Sequence, residues 1–391
     1  MQENLMRLEH LEDRNGVENL SAIDGPPGTG KTTEILARAN KWSKKGAIIT
    51  FTVAAADVLK GRMDDGDYAD IGTIYKLSWG PVSRLTGAKS YRGQRSSGPW
   101  LKRKITGSYD TALHEYEEGA PSRRPPSDYG EVAKKLHAWD GEGSPPFDLS
   151  KLRPDKELRY VLPLAKWVEA GCPSEVTERY PDILVDEAQD MSSLEMAATL
   201  GLSDGEVTAF LDPGQSVFAN AKGINEELPP AWTSASKRYR LNGGFRVGNP
   251  VAETASSVLS SYFNRSAETF AHPSRKTEAI PWDPETGPPP RGLVLGYSRS
   301  SVKSWFEKWD LGNTGVIPAT GDPSKELVMS TIHSAKGSEA PEVYLLPWSN
   351  QALNKLDLRE PNELRVLYVA LTRAINCCSV SRTLFARLGL L

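Results

Sequence analysis

Cysteine is scarce: Cys172 and the neighbours Cys377 and Cys378 are the only three in 391 residues. Their spacing excludes a zinc or iron–sulfur site, and such sparse usage suits a reducing, cytoplasmic compartment. No apolar run approaches the roughly eighteen residues that a membrane-crossing helix needs. The N-terminal MQENLMRLEH has no signal-peptide core. An excess of positive charge is missing too, with 47 Lys and Arg against 50 Asp and Glu and a net charge of −3. Nothing global therefore demands a nucleic-acid partner, although a local groove can be basic on an acidic protein. What is present is a globular balance of 39% hydrophobic and 25% charged residues. The chain is too long for one ordinary core, so two or three domains are expected.

Glycine is concentrated where it matters. In AIDGPPGTGKTTE (residues 22–34), Gly25, Gly28 and Gly30 allow a tight turn whose backbone N–H groups point inward, toward an anion. Pro26, Pro27 and Thr29 complete the loop. Lys31 adds a mobile cation for β- and γ-phosphates, and Thr32, followed by Thr33, offers a hydroxyl to Mg²⁺. Leu20–Ile23 reads as a strand before the loop. Ile35, Leu36, Ala39 and Trp42 recur at helical spacing after it, so a helix would aim its N-terminal dipole at the phosphates. The frame is that of a P-loop NTPase, with ATP and Mg²⁺ as expected ligands.

A second phosphate motif follows in YPDILVDEAQDMSS (residues 180–193). Ile183–Val185 reads as a buried parallel strand, and Asp186 and Glu187 stand at its carboxyl end, where open α/β sheets bind ligands. Adjacent carboxylates repel unless a cation is present. Asp186 would hold the metal, and Glu187 would orient and deprotonate the attacking water. Fragments that echo small GTPases (SAK at 334–336, NKLD at 354–357, DPGQ at 212–215) occur in the wrong order, and DPGQ is one residue short. They weigh little.

Read in order, the segments resemble the motor motifs of UvrD/Rep/PcrA-type superfamily 1 helicases. GPPGTGKT is similar to motif I, TFTVAAADVLKGRM (50–63) to Ia, IGTIYKLSW (71–79) to Ib and LVDEAQD to II. FLDPGQSVF (210–218) is similar to III, LNGGFRVGNPV (241–251) to IV, and LGYSRS (295–300) to the strand after it. MSTIHSAKGSEAPEVYLL (329–346) is similar to V and NELRVLYVALTRA (362–374) to VI. The resemblance implies two RecA-like α/β lobes around one nucleotide. Gln215 would touch the γ-phosphate and its water, Phe245 would stack on adenine, and Arg246 and Arg373 would be arginine fingers. Gly337 and Glu339 would lie at the ribose. Thr52, Thr73, Thr331 and His333 fall where the family touches a single-strand backbone. Phe218 reads equally as a base-stacking platform or as a buried aromatic.

Departures are informative. No L-N-x-x-Q motif precedes the P-loop, which leaves ATP-over-GTP selectivity open, and Asn220 stands where the family has a motif III tryptophan. The expected division is 1–79 with 180–236 as the first lobe, 80–179 as an inserted accessory subdomain, and 237–391 as the second lobe. Helical patches are expected at 109–118, 131–139 and 158–170 of the insertion, and a basic stretch with aromatics runs from Tyr91 to Lys104. That stretch reads as a further contact surface or as a solvated loop. AIPWDPETGPPPRG (279–292) reads as a proline-rich linker. The short interval between motifs IV and V leaves no room for a full second accessory subdomain. Three functions fit: a 3′→5′ single-stranded DNA translocase that unwinds duplex, a translocase that needs a partner to unwind, and a nucleotide-gated binding protein without motor action.

Overall fold

The computed structural model describes residues 7–13, 15–63, 69–86, 129–150, 152, 158–173, 179–218, 228–260, 270–311, 321–357 and 359–388. The expected helix at 109–118, the 91–104 stretch and Asn220 lie outside the described residues. Two α/β units follow each other along the chain. The first is a seven-stranded sheet in the order β1-β7-β2-β6-β5-β3-β4. Its strands are β1 (Arg7–Asp13), β2 (Val17–Asp24), β3 (Gly46–Ile49), β4 (Ala69–Gly72), β5 (Tyr180–Val185), β6 (Ser203–Leu211) and β7 (Ala235–Asn242). Only the β1–β7 pair is antiparallel. The second is a five-stranded, wholly parallel sheet in the order β10-β9-β11-β12-β8. It comprises β8 (Glu278–Trp282), β9 (Gly292–Gly296), β10 (Leu327–Thr331), β11 (Ala340–Leu345) and β12 (Ala374–Ser381).

The short apolar runs form these strands because each central strand is covered on both faces, so successive side chains feed opposite cores. Ala22 and Ile23 diverge in this way, as do Ala47 and Ile48, Val185 and Leu184, and Ala209 and Phe210. One face of the first sheet receives the helices Lys31–Ala39 and Val53–Lys60 through Ile35, Ala56 and Leu59. The other receives helices 129–138, 158–169 and 193–201 through Leu136, Trp167 and Leu194. In the second unit Leu293 and Leu295 feed one core while Val294 meets Val302 and Trp305 in another.

Three placements differ from the sequence reading. Strand β7 straddles the expected lobe boundary at 236/237 and pairs with β1 and β2, so the chain leaves the first sheet only after Asn242. Helices 129–138 and 158–169 share one core with the first sheet, with Trp167 fully buried among its members. This part of the expected insertion is a structural layer of the first lobe. Residues 279–282, read as the start of a linker, belong to edge strand β8 beside β12. An edge position tolerates Pro281 because one side of the strand needs no ladder donor.

No helix among the described residues is long and apolar enough to cross a membrane. Removing a large buried aromatic leaves a cavity that its neighbours only partly fill. Trp167→Ala is expected to cost about 3–5 kcal/mol. Urea unfolding followed by circular dichroism checks this, and a loss below about 1 kcal/mol would show that helix 158–169 is not integral to the lobe.

Candidate nucleotide site and nucleic-acid face

The phosphate loop leaves β2 at Asp24 and is tied to the neighbouring strand by Gly25 N–H donating to Leu211 O at 2.8 Å. Gly28 and Gly30 have φ of +72° and +90°, in the left-handed region that glycine tolerates best. Space as well as torsion demands glycine here. A Cβ on Gly28 would lie 2.5 Å from Cβ of Arg246, which belongs to the segment entering the second lobe. Phe245 N–H donates to Gly28 O at 2.8 Å, so the two halves of the chain meet directly at the loop. Thr29 turns inward to donate to Pro26 O at 2.8 Å, and the Lys31 ammonium donates to Gly25 O at 2.5 Å.

At the end of β5, Asp186 N–H continues the ladder to Ile49 O, and Glu187 then takes φ of 56°, a strained conformation for a residue with a Cβ. That turn sends the Glu187 carboxylate into the cleft while Asp186 stays behind it, 8% exposed. Burial, followed by the neighbouring Glu187 charge, pushes the Asp186 carboxyl up from its usual range. Burial acts the same way on Glu187, but Lys336, Lys31, a Gln189 hydrogen bond and Arg373 together outweigh it and hold that carboxyl down. The acid pair is therefore asymmetric. Among the described residues no group of three or more His, Cys, Asp or Glu could hold a metal by itself. Mg²⁺ is typically held by one or two carboxylates plus substrate phosphates and water. Asp186 and the Thr32 hydroxyl are the residues that would hold it.

The opposite wall comes from the second lobe. Arg373, 1% exposed, donates to Val369 O at 3.0 Å, Ser338 O at 3.1 Å and Thr372 Oγ1 at 3.2 Å. It also crosses the cleft to donate to Gln215 Oε1 at 3.0 Å. Burial and then the adjacent Arg246 cation push its guanidinium down to about 9. Arg246 pairs with Glu339 at 2.5 Å, so Glu339 engages the arginine beside it. Gln215 is itself held by donating to Asp212 Oδ2 at 2.8 Å. Between these walls lies a cleft of about 280 Å³. Of the residues expected at the nucleotide, only Gly25, Thr29 and Asp186 are not on its surface.

Several participants escaped the sequence reading. Arg62, Arg275 and Ile375 also line the cleft. Arg275 donates to the carbonyls of Phe245 and Arg246 at 3.3 and 3.0 Å, fixing the segment that carries both. Gln189 donates to Glu187 and accepts from Asp212 N–H at 3.0 Å, which clamps the second motif to the third. Lys336 forms an ion pair with Glu187 at 3.3 Å and another with Asp190. The available signal was that Gln189 and Asp190 are polar residues directly following a buried strand.

On the adjoining face the expected strand-contacting residues divide. Thr52 is exposed and caps helix 53–60, accepting from Ala55 N–H at 3.1 Å. Thr73 and Thr331 are nearly buried, with hydroxyls already used: Thr73 accepts from Lys76 N–H, and Thr331 donates to Ser334 Oγ at 3.0 Å. Both hydroxyls close a local turn; Thr331 spends its proton on Ser334, whereas Thr73 accepts and keeps its own O–H. Phe218 is half-buried, stacked on Phe51 at 5.2 Å and 26°, and 6.0 Å from the His333 ring. One face of the Phe218 ring is thus taken by Phe51.

Comparison with known proteins follows this geometry. A family model described as an AAA domain matches residues 14–219, more than half of the chain. A second, described as a UvrD-like helicase C-terminal domain, matches residues 326–377. No match was found among curated proteins. Among solved structures the chain is similar to the helicase, nonstructural protein 10, of an arterivirus (15% identity, TM-score 0.44, 95% of this chain and 62% of that one). The same arterivirus protein in complex with DNA is similar at 15% identity and TM-score 0.43, over 95% of this chain and 63% of that one. The helicase of PRRSV is similar at 15% identity and TM-score 0.42, over 94% and 53%. The chain spans less than two thirds of the length of these proteins. With an AAA domain across its first lobe and a UvrD-like C-terminal domain in its second, the chain belongs to the UvrD-like superfamily 1 helicases, a family of ATP-hydrolysing enzymes.

Proposed function

We propose that this chain is an ATP-driven translocase on single-stranded DNA that moves 3′→5′ and unwinds duplex ahead of it. The single observation that carries the reading is the 3.0 Å bond from Arg373 to Gln215 across the cleft. It joins the second lobe to Gln215 within the first lobe's third motif. Lys31 and the inward N–H groups of residues 28–32 hold the β- and γ-phosphates. Asp186 and Thr32 would hold Mg²⁺, which would supply positive charge against that developing on the phosphate oxygens. Glu187 takes the proton of the attacking water, aided by Gln215. Arg246 and Arg373 reach the γ-phosphate from the other lobe, so ATP draws the lobes together and hydrolysis releases them. Phe245 stacks on the base, while Gly337 and Glu339 border the ribose.

Strand contact is assigned to the face carrying Thr52, Phe218 and His333, with Thr73 and Thr331 shaping its turns. Alternating grip on that face converts closure into steps. The direction of movement rests on the family resemblance alone. Lobe assignments follow the two sheets, with residues 80–179 as an accessory region whose second half packs on the first lobe.

Oligo-dT is expected to raise the ATPase rate at least tenfold; a rate indifferent to oligonucleotide removes the motor reading and leaves a nucleotide-gated binding protein. A forked duplex with a 3′ tail then separates unwinding from translocation alone. Lys31→Ala and Glu187→Gln should both abolish turnover, with Glu187→Gln still binding ATP in an equilibrium binding assay. Arg373→Ala should lower kcat by about 10³–10⁵-fold while sparing oligonucleotide binding. Near-wild-type turnover in that variant would take Arg373 out of the catalytic set.

A further inference from the structure

Part of the cleft wall takes no share in the phosphate chemistry. Arg275 lines it with Phe245 and Ile375. The backbone that carries Arg275 is pressed against the backbone that carries Phe245. A Cβ on Gly244 would collide with Phe270 O, and one on Gly248 with Thr277 N, so glycine on either side of Phe245 admits the neighbouring segment. His272 N–H donates to Val247 O at 2.7 Å. Thr277 Oγ1 accepts from Gly248 N–H and donates to Ile375 O, both at 2.6 Å. Within this frame the Arg275 guanidinium is held by one nitrogen: Nη1 donates to Phe245 O and Arg246 O. Its Nε and Nη2 meet no acceptor among the described residues.

A guanidinium carries five N–H donors in a rigid fork and no acceptor. The edge formed by Nε–H and Nη2–H is therefore a preset bidentate donor. The first lobe adds another donor, the exposed Arg62, on the cleft surface. Among the described lining residues the one side-chain amide is Gln215, and it is committed to Asp212 and Arg373. Glu339 is committed to Arg246. No L-N-x-x-Q glutamine precedes the phosphate loop either. Purines differ at the edge such a fork meets. Guanine offers two acceptors, N7 and O6, whereas adenine sets the N7 acceptor beside an N6 amino donor. Against adenine the fork would bring donor to donor.

We propose that Arg275 reads the base through N7 and O6, so that this site hydrolyses GTP in preference to ATP. The inference rests on the nucleotide site proposed above, with Phe245 as the base platform, and deepens it by naming the nucleotide. The reaction itself is unchanged. The water oxygen bonds to the γ-phosphorus, and the bond from that phosphorus to the β–γ bridging oxygen breaks. GTP and water give GDP, phosphate and a proton. The C2 amino group of guanine lies away from the N7/O6 edge and goes unread.

The test is steady-state hydrolysis of GTP and of ATP by the full chain with Mg²⁺, with and without oligo-dT. kcat/KM for GTP should exceed that for ATP by about 5–150-fold, the discrimination that one bidentate base contact supplies. The difference should sit in KM rather than kcat, because the base is held alike in ground and transition states. ITP, which keeps N7 and O6 and lacks the C2 amino group, should match GTP, and 7-deaza-GTP should fall toward ATP. Arg275→Gln, whose amide suits N6 and N7 of adenine, should turn the preference toward ATP. Arg275→Met should bring the ratio close to unity, whereas loss of a merely structural contact would lower both nucleotides alike. ATP preferred by the wild type, 7-deaza-GTP equal to GTP, or an unchanged ratio in both variants overturns the inference and leaves the motor reading standing. Should the variants not fold, the analogue series on the wild type decides by itself. Wild-type protein that hydrolyses neither nucleotide, with or without oligo-dT, would bring down both readings.

Discussion

The structure turns on a buried arginine of one sheet bonded to a glutamine at the end of another. Arg373 has no water to solvate it, so its charge is supported by carbonyls of its own lobe and by Gln215 of the first. That single contact sets where the second lobe sits relative to the phosphate loop. The motif III turn is pressed into place around it. A Cβ on Gly214 would lie 2.6 Å from Leu259 and 2.9 Å from Tyr368, so only glycine lets the second lobe come so near. A buried cation is costly unless compensated, which makes this closed geometry responsive to charge placed in the cleft.

Like charges are paired on both walls. Asp186 stands beside Glu187, and Arg373 beside Arg246, and burial followed by the like charge alongside moves Asp186 and Arg373 away from their usual ionisation ranges. A divalent cation complements the first pair and a polyphosphate the second. Mg²⁺-bound nucleoside triphosphate brings both in one ligand. The strained backbone at Glu187 and the Gln189 clamp hold the Glu187 carboxylate in this frame. Preorganisation of this kind is where electrostatic catalysis gains most.

The parts of the site that could be read in advance are local ones. A glycine loop between strand and helix, two carboxylates at a strand end, and an arginine after a helix each declare themselves within a dozen residues. Their convergence on one cleft follows from strand ends sharing one edge of parallel sheets. Harder to read were residues whose roles depend on distant partners. Lys336 meets Asp190 across 146 positions of chain, and its place in the motif V-like stretch does not disclose that partner. Arg275 gains its place from two carbonyls 29 and 30 residues earlier. The turn-closing bonds of Thr73 and Thr331 also depend on the folded backbone around them. The proline-rich stretch hid strand β8 because proline opposes a central strand but not an edge one.

By itself the amino-acid sequence determined the local chemistry: the phosphate loop and the acid pair are set by residue type and short spacing. The two arginines and the two α/β lobes were legible only through the ordered resemblance to the helicase motifs. Only the tertiary structure decided which lobe owns β7, that helices 129–138 and 158–169 belong to the first core, and that Lys336 reaches both Glu187 and the Phe218 ring. The reason is physical. Short motifs act through backbone torsions and neighbours a few residues away, whereas burial and ion pairing depend on which distant surfaces the packed chain brings within reach.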